Sequence, residues 1–448
     1  MRSNLRKYVD RRVPRYTSYP TAVQFSSAVD AETYKRWLAA LPAQAPISIY
    51  LHVPFCAELC LYCGCHTTVA RRYTPISDYV ALLEREIALI GALLAKPPVT
   101  QIHWGGGTPT ILLPRDLMRI TEALRANFTI APVTETAIEI DPRSLSREHI
   151  SALTEMGVSR ASLGAQDFEP AVQLAIRREQ SFEQTARVAE WLRGAGIARL
   201  NLDLMYGLPH QSVATMTRTA KRVLALEPDR IALFGYAHVP WIKRHQKLLP
   251  EDALPDSGER FAQSSAAAEV FAGAGYRRIG LDHFAREGDA LVSRQREGRL
   301  HRNFQGYTAD EADNIIGFGP SAIGSLSEGY VQNTPSMVSY RSAILSNQPA
   351  TARGVALTGE DRLRGRVIER LMCDLQVDVA EICGAYGARP DHFAAEFSVL
   401  NDYVQDGIVE RTGMRIRVPD EARAFVRSVC AVFDAYMTDG ETRFSRAS

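Results

Sequence analysis

The sequence contains no long hydrophobic run. Its longest apolar stretch, residues 87–95, is much shorter than the ~20 residues that a helix needs to cross a bilayer. The charged first twelve residues include no apolar segment followed by a small-residue cleavage site, so they are not typical of a secretory signal. We therefore predict a soluble cytoplasmic protein that has no membrane partner.

An excess of either charge is missing as well. The 448 residues include 52 Lys and Arg and 51 Asp and Glu, which leaves a formal net charge of +1. This balance gives no electrostatic attraction to a nucleic-acid backbone, and it is compatible with a monomer. The apolar share of 46% and the charged share of 23% are those of a folded chain, and the length favours one large α/β domain with additions.

Short apolar runs alternate with helical periods through the middle of the chain. This alternation is typical of repeated βα units, which form a parallel sheet wrapped by helices. Six units predict an incomplete (βα)6 barrel rather than a closed barrel of eight. The six predicted strands cover residues 47–53, 101–104, 136–140, 161–164, 200–205 and 231–234.

The pattern changes on both sides of these units. Residues 277–350 show little periodicity, and we predict that they cover the site. Two alternating runs at 407–418, joined by Thr412 and Gly413, predict a hairpin or wing, and residues 358–448 carry twelve Arg against sixteen Asp and Glu, which disfavours DNA binding. The predicted domains are an extension over the active site (1–45), the partial barrel with site-covering segments (46–350) and a mainly helical, winged-helix-like C-terminal domain (351–448).

Cysteine is scarce outside one short segment. Four of the seven cysteines form a Cys56-x3-Cys60-x2-Cys63 motif followed by Cys65 and His66, directly after the first predicted strand. Three thiolates at this spacing can hold three irons of a [4Fe-4S] cluster and leave the fourth iron open. A zinc site closed by Cys65 or His66, and an electron-carrier cluster with a remote fourth cysteine, stay open on spacing alone. The other three are predicted to be buried thiols: Cys373, Cys383 and Cys430.

Three consecutive glycines, 105–107, end the second predicted strand in the string HWGGGTPT. Because they lack a Cβ, their backbone can approach a bound ligand closely. A phosphate-binding loop is the alternative, but neither a following Gly-Lys-Ser/Thr nor a glycine-spaced dinucleotide fingerprint is present.

The cysteine motif, with Tyr62 before its last cysteine, and GGGTP after the second strand together resemble the radical S-adenosylmethionine (SAM) superfamily. Within it, the extra Cys65 and the strings YLHVPFC, YTSYPTA, DPRSL, GAQDF, NLDLMYGLP, DHFA and HRNFQGYT resemble the oxygen-independent coproporphyrinogen III oxidase family. The resemblance runs over nearly the whole chain.

The resemblance implies a partial barrel of radical SAM type, a [4Fe-4S] cluster, and SAM bound to its open iron. Cleavage of SAM by one electron would give a 5′-deoxyadenosyl radical, which takes a hydrogen atom from a propionate side chain of coproporphyrinogen III. Loss of carbon dioxide and an electron leaves a vinyl group, and a second round gives protoporphyrinogen IX in haem biosynthesis. The implied partners are this substrate, a low-potential electron donor and an electron acceptor.

The resemblance also implies roles for individual residues, all of them in binding the cluster or the cofactor. The cluster ligands would be Cys56, Cys60 and Cys63, while Cys65 would not bind iron. SAM would be contacted by Tyr50, Tyr62, Gly106 and Glu139. A second SAM would be contacted by Gly107, Thr108, Gln166, Arg178 and Asp203. Backbone or apolar contacts are implied for Ala237 and Ile323, and Gln305 is a weaker candidate.

A haem chaperone, or another haem-handling radical SAM relative, is the alternative function. Such relatives generally lack the fourth cysteine of the motif and the long N-terminal extension, and this sequence has both. The implied substrate carries four carboxylates, so positive groups should line its pocket. Candidates, each otherwise typical of a surface or packing residue, are Arg12, Arg15, Arg302 and His52.

Overall fold

The computed structural model describes residues 6–9 and 11–437. Its strands are β1 (Ile47–Val53), β2 (Phe55–Cys56), β3 (Thr68–Val69), β4 (Pro98–Gly106), β5 (Thr129–Ile140), β6 (Arg160–Gln166), β7 (Arg199–Tyr206), β8 (Arg230–Gly235), β9 (Arg277–Ile279), β10 (His283–Ala285), β11 (His301–Asn303), β12 (Gly306–Thr308), β13 (Asn314–Phe318), β14 (Ile323–Leu326), β15 (Gly329–Asn333), β16 (Thr351–Ala356), β17 (Gln376–Asp378), β18 (Glu410–Thr412) and β19 (Arg415–Arg417).

The α-helices pack around these strands. In the described residues they are α1 (Arg6–Val9), α2 (Ala31–Ala40), α3 (Thr74–Gly91), α4 (Pro114–Asn127), α5 (Arg147–Glu155), α6 (Pro170–Ala175), α7 (Phe182–Gly194), α8 (Val213–Leu224), α9 (Ser257–Gly273), α10 (Ala290–Arg296), α11 (Met337–Leu345), α12 (Gly359–Asp374), α13 (Val379–Ala385), α14 (Ala394–Gln405) and α15 (Val426–Cys430). No helix within 6–9 and 11–437 combines the length and hydrophobicity of a membrane span.

The centre of the fold is a parallel sheet in which β1 and β4 to β8 lie side by side in chain order. Each of the six predicted strands lies within one of these six, so the incomplete (βα)6 barrel is confirmed. The sheet is covered on both faces, which explains why β1 is a nearly continuous apolar run with six of its seven residues buried. All six strands end at the same edge of the sheet.

Residues 277–350 differ from the prediction. They do not only cover the site, because most of their strands extend the sheet at its two edges. β10 and β9 add antiparallel strands beside β8, and β13 pairs parallel with β1 before β14, β15 and β16 continue outward. These strands have only three to six residues, which is too short for a clear periodic signal. The β11–β12 hairpin does lie over the interior of the barrel, where it lines a cavity.

The C-terminal domain has a hydrophobic core of its own. It contains α12 to α15 and the small sheet β17–β19–β18, and the predicted hairpin is present, with Gly413 in its turn at φ +61°. Residues 351–356, expected to open this domain, instead form β16 in the large sheet. We therefore propose that the domain begins at residue 357, because β16 is bonded to β15 and not to the C-terminal sheet.

The first part of the N-terminal extension packs against the C-terminal domain, whereas Val29, Tyr34 and Leu38 in its second part belong to the core of the barrel. Tyr8, Val13, Tyr16 and Tyr19 are buried in the same core as the C-terminal helices. Arg15 lies between them and donates a hydrogen bond to the carbonyl of Gly235 at the end of β8, over 3.0 Å. The extension therefore links the C-terminal domain to the edge of the sheet where the parallel strands end.

Candidate active site

The structure collects the predicted site residues at one edge of the sheet. Most of them lie near the carboxyl end of a parallel strand or in the loop that follows it, which is where α/β barrels place their active sites, whereas Tyr50 and Asp203 lie within their strands. Their order follows the order of the strands across the sheet. Ile323 begins β14, Tyr50 lies in β1, and the loop after β1 carries Cys56, Cys60, Tyr62 and Cys63. The others are Gly106, Gly107 and Thr108 at the end of β4, Glu139 in β5, Gln166 at the end of β6, Arg178 after α6, Asp203 in β7 and Ala237 after β8.

The cysteine loop leaves β1 and is tied down at several points. Cys56 lies in β2, and its sulfur accepts a hydrogen bond from Thr67 over 3.1 Å and lies 3.5 Å from the hydroxyl of Thr108. The buried sulfur of Cys60 lies 3.7 Å from a guanidinium nitrogen of both Arg143 and Arg178. Two positive charges therefore face this loop, and they favour thiolates over thiols.

The thiols differ in acidity. A hydrogen bond from Cys65 lowers the pKa of Cys63 to about 6, whereas burial raises the pKa of Cys56. Thiolates are the form that binds iron, so the lowered pKa of Cys63 favours its role as a ligand. The scattered Cys373, Cys383 and Cys430 are buried thiols, as predicted.

The donor set fits a [4Fe-4S] cluster with one open iron. Nowhere in the described ranges do three His, Cys, Asp or Glu side chains come together in the way that the ligands of one metal ion do. A cluster takes a separate thiolate at each iron, so its three cysteines stand apart. The arrangement therefore suits the cluster better than it suits the zinc alternative.

A segment after β8 holds the backbone of the cysteine loop. Lys243 donates to the carbonyl of Cys65 over 2.9 Å, and His245 lies 2.8 Å from the carbonyl of Cys63. The fully buried Gln246 donates to the carbonyls of both Tyr62 and Ala237, at 3.1 and 3.2 Å. Tyr62 and Ala237, which are remote in sequence, are thereby joined through one side chain.

The glycines at the end of β4 allow a close approach to the loop. Gly106 has φ +114°, a conformation that other residues rarely adopt. A Cβ on Gly107 would lie 2.5 Å from the carbonyl oxygen of Phe55 and 2.7 Å from the hydroxyl of Thr67. Thr108 follows with its backbone N–H bonded to the carbonyl of Phe55 over 2.8 Å. Glycine is therefore required where β4 passes the cysteine loop.

Glu139 is fixed beside these glycines. Its carboxylate accepts a hydrogen bond from the backbone N–H of Gly106 and lies within hydrogen-bond distance of His103 Nε2, each over 3.2 Å. Tyr50 packs against His103 with ring centroids 5.9 Å apart, and its hydroxyl lies 3.0 Å from His52 Nδ1. The carboxylate thus stands at the end of β5 with acceptor capacity to spare, which suits a ligand with hydroxyl groups.

Gln166 ends β6, and Arg178 follows α6 and contacts the cysteine loop at Cys60. The buried Arg178 donates to Asp141 over 3.2 Å and to the carbonyl of Gly164 over 2.7 Å, and the electrostatic influence of Tyr62, Asp141 and Cys60 raises its pKa despite burial. Gln166 ends β6 at φ +63°, an uncommon value for a residue with a side chain. Backbone strain of this kind clusters at functional sites.

Asp203 lies in the interior of the barrel. Its carboxylate accepts hydrogen bonds from Ser162 and from Asn201, each over 2.8 Å, yet burial raises its pKa to about 6. The cavity that it lines also contains Glu139 from β5 and Gln305 from the β11–β12 hairpin. Glu139 and Asp203 therefore face one interior space, and the hairpin covers it.

Ile323 is placed beside β1 by strands outside the six βα units. It begins β14, which runs antiparallel to β13, and β13 pairs with β1 so that Gly317 lies opposite Tyr50. The carbonyl of Ile323 would lie 2.8 Å from a Cβ on Gly317. Sequence periodicity could not have found this neighbour, because these strands come from the segment without a clear pattern.

Several site residues were missed by sequence reasoning. Asp141 and Arg143 lie in the quoted DPRSL string without an assigned role, although Arg143 binds Asp141 over 2.7 Å and faces Cys60. Gln246 and His245 lie in a generic stretch of sequence, where no signal marked them. Only contacts across the fold reveal that they hold the cysteine loop.

Two family models match separate parts of this chain. Residues 50–223 match the radical SAM superfamily, and residues 357–425 match the HemN C-terminal domain family. The chain is 49% identical to the oxygen-independent coproporphyrinogen III oxidase of Bradyrhizobium diazoefficiens over 100% of both chains, and 42% identical to that of Paracoccus denitrificans over 95% of each.

A solved structure is similar over almost the same length. Coproporphyrinogen III oxidase (HemN) from Escherichia coli, described as a radical SAM enzyme, has a TM-score of 0.90 and 36% identity, covering 95% of this chain and 100% of that chain. Sequence identity and fold agree across the barrel and the C-terminal domain. The chain therefore belongs to the oxygen-independent coproporphyrinogen III oxidase family within the radical SAM superfamily.

Proposed function

We propose that this chain is an oxidoreductase that converts two propionate side chains of coproporphyrinogen III to vinyl groups without oxygen and so yields protoporphyrinogen IX for haem biosynthesis. The observation that carries the proposal is the convergence of the three cysteines, Glu139 and Asp203 on the edge where the parallel strands end. This arrangement combines a cluster loop with fixed carboxylates around an enclosed cavity.

The reaction removes a hydrogen atom, carbon dioxide and one electron from each propionate. The double bond forms between the two methylene carbons, and carbon dioxide leaves from the outer one, so the hydrogen atom must leave from the carbon attached to the ring. Such a C–H bond offers no useful acid or base route. A reduced [4Fe-4S] cluster with SAM supplies, when bound, the radical that takes this hydrogen atom.

The chain's own residues bind and orient. Cys56, Cys60 and Cys63 would hold the cluster, with Arg143 and Arg178 stabilising the negative charge near Cys60. Glu139 is suited to ribose hydroxyls because its carboxylate is already fixed by the N–H of Gly106. The β11–β12 hairpin contributes Asn303, Gln305 and Tyr307 to the lining of the barrel cavity and so covers part of it.

A second SAM molecule is proposed on the far side of the cluster loop, held by Gly107, Thr108, Gln166, Arg178 and Asp203. Arg178 is suited to a carboxylate and Asp203 to an ammonium or hydroxyl group. Ala237 and Ile323 would contribute backbone or apolar contacts. This assignment rests on the position of these residues around the site and on the resemblance.

We further propose a monomer that works in the cytoplasm with a low-potential electron donor and a separate electron acceptor. All seven cysteines lie in the described residues and are free thiols, in keeping with a reducing compartment. The acceptor is required because each decarboxylation releases an electron that the hydrogen-atom transfer does not consume.

Anaerobic turnover tests the proposed function. Iron-reconstituted protein is mixed with SAM, a strong reductant and coproporphyrinogen III, and protoporphyrin and 5′-deoxyadenosine are followed by chromatography. We expect both products. Formation of 5′-deoxyadenosine without a vinyl product, together with tight haem binding in a titration, would instead favour the haem-handling alternative.

A further inference from the structure

A cleft beside the barrel interior is unusually rich in arginine. It is a small cavity of about 70 Å³, and Asp282 is the one acidic residue among the described residues that line it. The arginines come from the N-terminal extension, α9, β9, β11 and α15, so three parts of the chain contribute. We name this cleft the arginine pocket, after Arg15, Arg260, Arg278, Arg302 and Arg427.

Arg302 is a nearly buried arginine of this pocket whose hydrogen bonds are incomplete within the described residues. Only 6% of its side chain is exposed, and its guanidinium lies over the ring of Tyr307, 4.5 Å from the centroid. Its Nη1 forms a long ion pair with Asp282, at 3.7 Å, and within the described residues neither Nε nor Nη1 has a hydrogen-bond partner. Buried guanidinium N–H groups are normally hydrogen-bonded, so two donors of Arg302 remain without an acceptor.

Arg278 repeats the pattern. Its guanidinium lies 5.7 Å from the ring centroid of Phe284, and its Nε finds no hydrogen-bond partner in the part of the chain that the structure describes. Asp282 is engaged elsewhere, because His283 Nδ1 lies 2.8 Å from its carboxylate. Burial, with Arg423 nearby, lowers the pKa of Arg278 to about 10. Arg278 and Arg302 together thus have three buried N–H groups without a hydrogen-bond acceptor among the described residues.

The arginine pocket adjoins the cavity that contains Glu139 and Asp203. At three places in the chain, one residue lines the arginine pocket and the residue next to it in sequence lines the cavity. On the pocket side are Gly235, Asp282 and Arg302, and on the cavity side are Phe234, His283 and Asn303. The two spaces are therefore neighbours in the fold, so a ligand group held in the arginine pocket lies beside the barrel interior.

The substrate of the proposed function, on which this inference rests, carries four carboxylates. Two are lost in the reaction and two stay on the product. We propose that the arginine pocket binds a carboxylate that is not being oxidised, with Arg302 and Arg278 as its principal donors. Arginine suits this role because its planar fork binds a carboxylate with two hydrogen bonds. Binding one propionate at a distance orients another toward the cluster.

The test measures equilibrium binding of coproporphyrin III, a stable fluorescent compound with the same four carboxylates. Arg278→Gln and Arg302→Lys should each weaken binding about tenfold or more, since a charge-assisted hydrogen bond is lost or loses its geometry. The matched control is Arg277→Gln, because Arg277 lies next to Arg278 on β9 but is exposed and pairs with Glu287 over 2.6 Å. The control should bind coproporphyrin III as the wild type does.

SAM also carries a carboxylate, so its affinity is measured in the same proteins. We expect it to stay unchanged in all three variants. Loss of SAM affinity with intact coproporphyrin binding would overturn the inference and assign the pocket to the cofactor. Unchanged coproporphyrin binding in both Arg278→Gln and Arg302→Lys would also overturn it. If the wild type neither binds coproporphyrin III nor turns over coproporphyrinogen III, the proposed function fails as well.

Discussion

At the scale of single residues, the site depends on a few buried polar groups that the sequence marks unequally. Glu139 interrupts an apolar strand and could be recognised from the alternation that it breaks. Gln246 is fully buried, more so than Glu139, but lies in a segment of no clear pattern. The difference is physical, because periodicity reports only on regular elements.

Asp203 should give SAM binding a characteristic pH dependence. Burial raises its pKa to about 6, above the ordinary value of 3.8, so the carboxylate is ionised above about pH 6 and protonated below it. We expect the affinity for the second SAM, the one assigned to Asp203, to fall about tenfold as the pH is lowered from about 7 to about 5, because only the ionised carboxylate pairs with an ammonium group.

Equilibrium binding of SAM to wild type and Asp203→Asn across this range checks the prediction, with iron content measured in each sample. The variant should bind weakly and show no such pH dependence. A dependence that persists unchanged in Asp203→Asn would assign it to another group.

Glu86 is a buried carboxylate outside the candidate active site, and we expect it to stabilise the fold. It is fully buried in α3, and its carboxylate accepts hydrogen bonds from Tyr340, Asn333 and the backbone N–H of Gly319, each over 2.7 Å. Glu86→Ala leaves three buried donors without an acceptor and should lower the free energy of unfolding by about 3 kcal/mol or more. Urea denaturation measures this loss, and Arg85→Ala, at an exposed position of the same helix, is the control.

The pH dependence of this site has a defined sign. Burial raises the folded-state pKa of Glu86 to about 7, above its ordinary 4.5, so the folded protein disfavours the ionised form. Its contribution to stability should therefore be highest below about pH 4.5 and decline as the pH rises to about 7. Glu86→Gln should lack this decline, and an identical pH profile in both proteins would contradict the assignment.

At the scale of elements, the sequence determines the parallel strands well and their flanking strands poorly. β1 and β4 to β8 are long, apolar and followed by helices, so their period is unmistakable. β9, β10 and β13 to β15 are short, and their pairing partners lie far away along the chain. Helix ends also follow local rules, since Pro114 begins α4 and Ser146 caps α5.

The segment after β8 should control how firmly the cysteine loop holds its cluster. Gln246→Ala removes the donor to the carbonyls of Tyr62 and Ala237, so the loop becomes looser. We expect the variant to retain less iron and sulfide per chain after reconstitution and gel filtration. Lys247→Ala, at the exposed neighbouring position, should retain as much as the wild type, and equal iron content in both variants would refute the role of Gln246.

At the scale of the whole molecule, the N-terminal extension joins two cores. Tyr8, Tyr16 and Tyr19 are buried in the C-terminal core and Tyr34 is buried in the barrel core, while Arg15 reaches the end of β8 and the arginine pocket. The sequence predicted a cover for the site, but the packing against the C-terminal domain depends on long-range contacts that no local pattern encodes.

Deletion of residues 1–20 should destabilise the C-terminal domain before the barrel. Burial of Tyr8, Val13, Tyr16 and Tyr19 stabilises the folded state by about 2 kcal/mol for each side chain. We expect faster proteolysis within 357–437 while 46–356 stay protected, as monitored by mass spectrometry. Uniform protection of both regions would show that the extension does not stabilise the C-terminal core.

The most direct test of the central claim follows one hydrogen atom. Coproporphyrinogen III deuterated at the propionate carbons attached to the ring is turned over anaerobically by the reconstituted protein, and the 5′-deoxyadenosine is analysed by mass spectrometry. The account predicts one deuterium in each 5′-deoxyadenosine that accompanies vinyl formation. Vinyl product formed with unlabelled 5′-deoxyadenosine would contradict it.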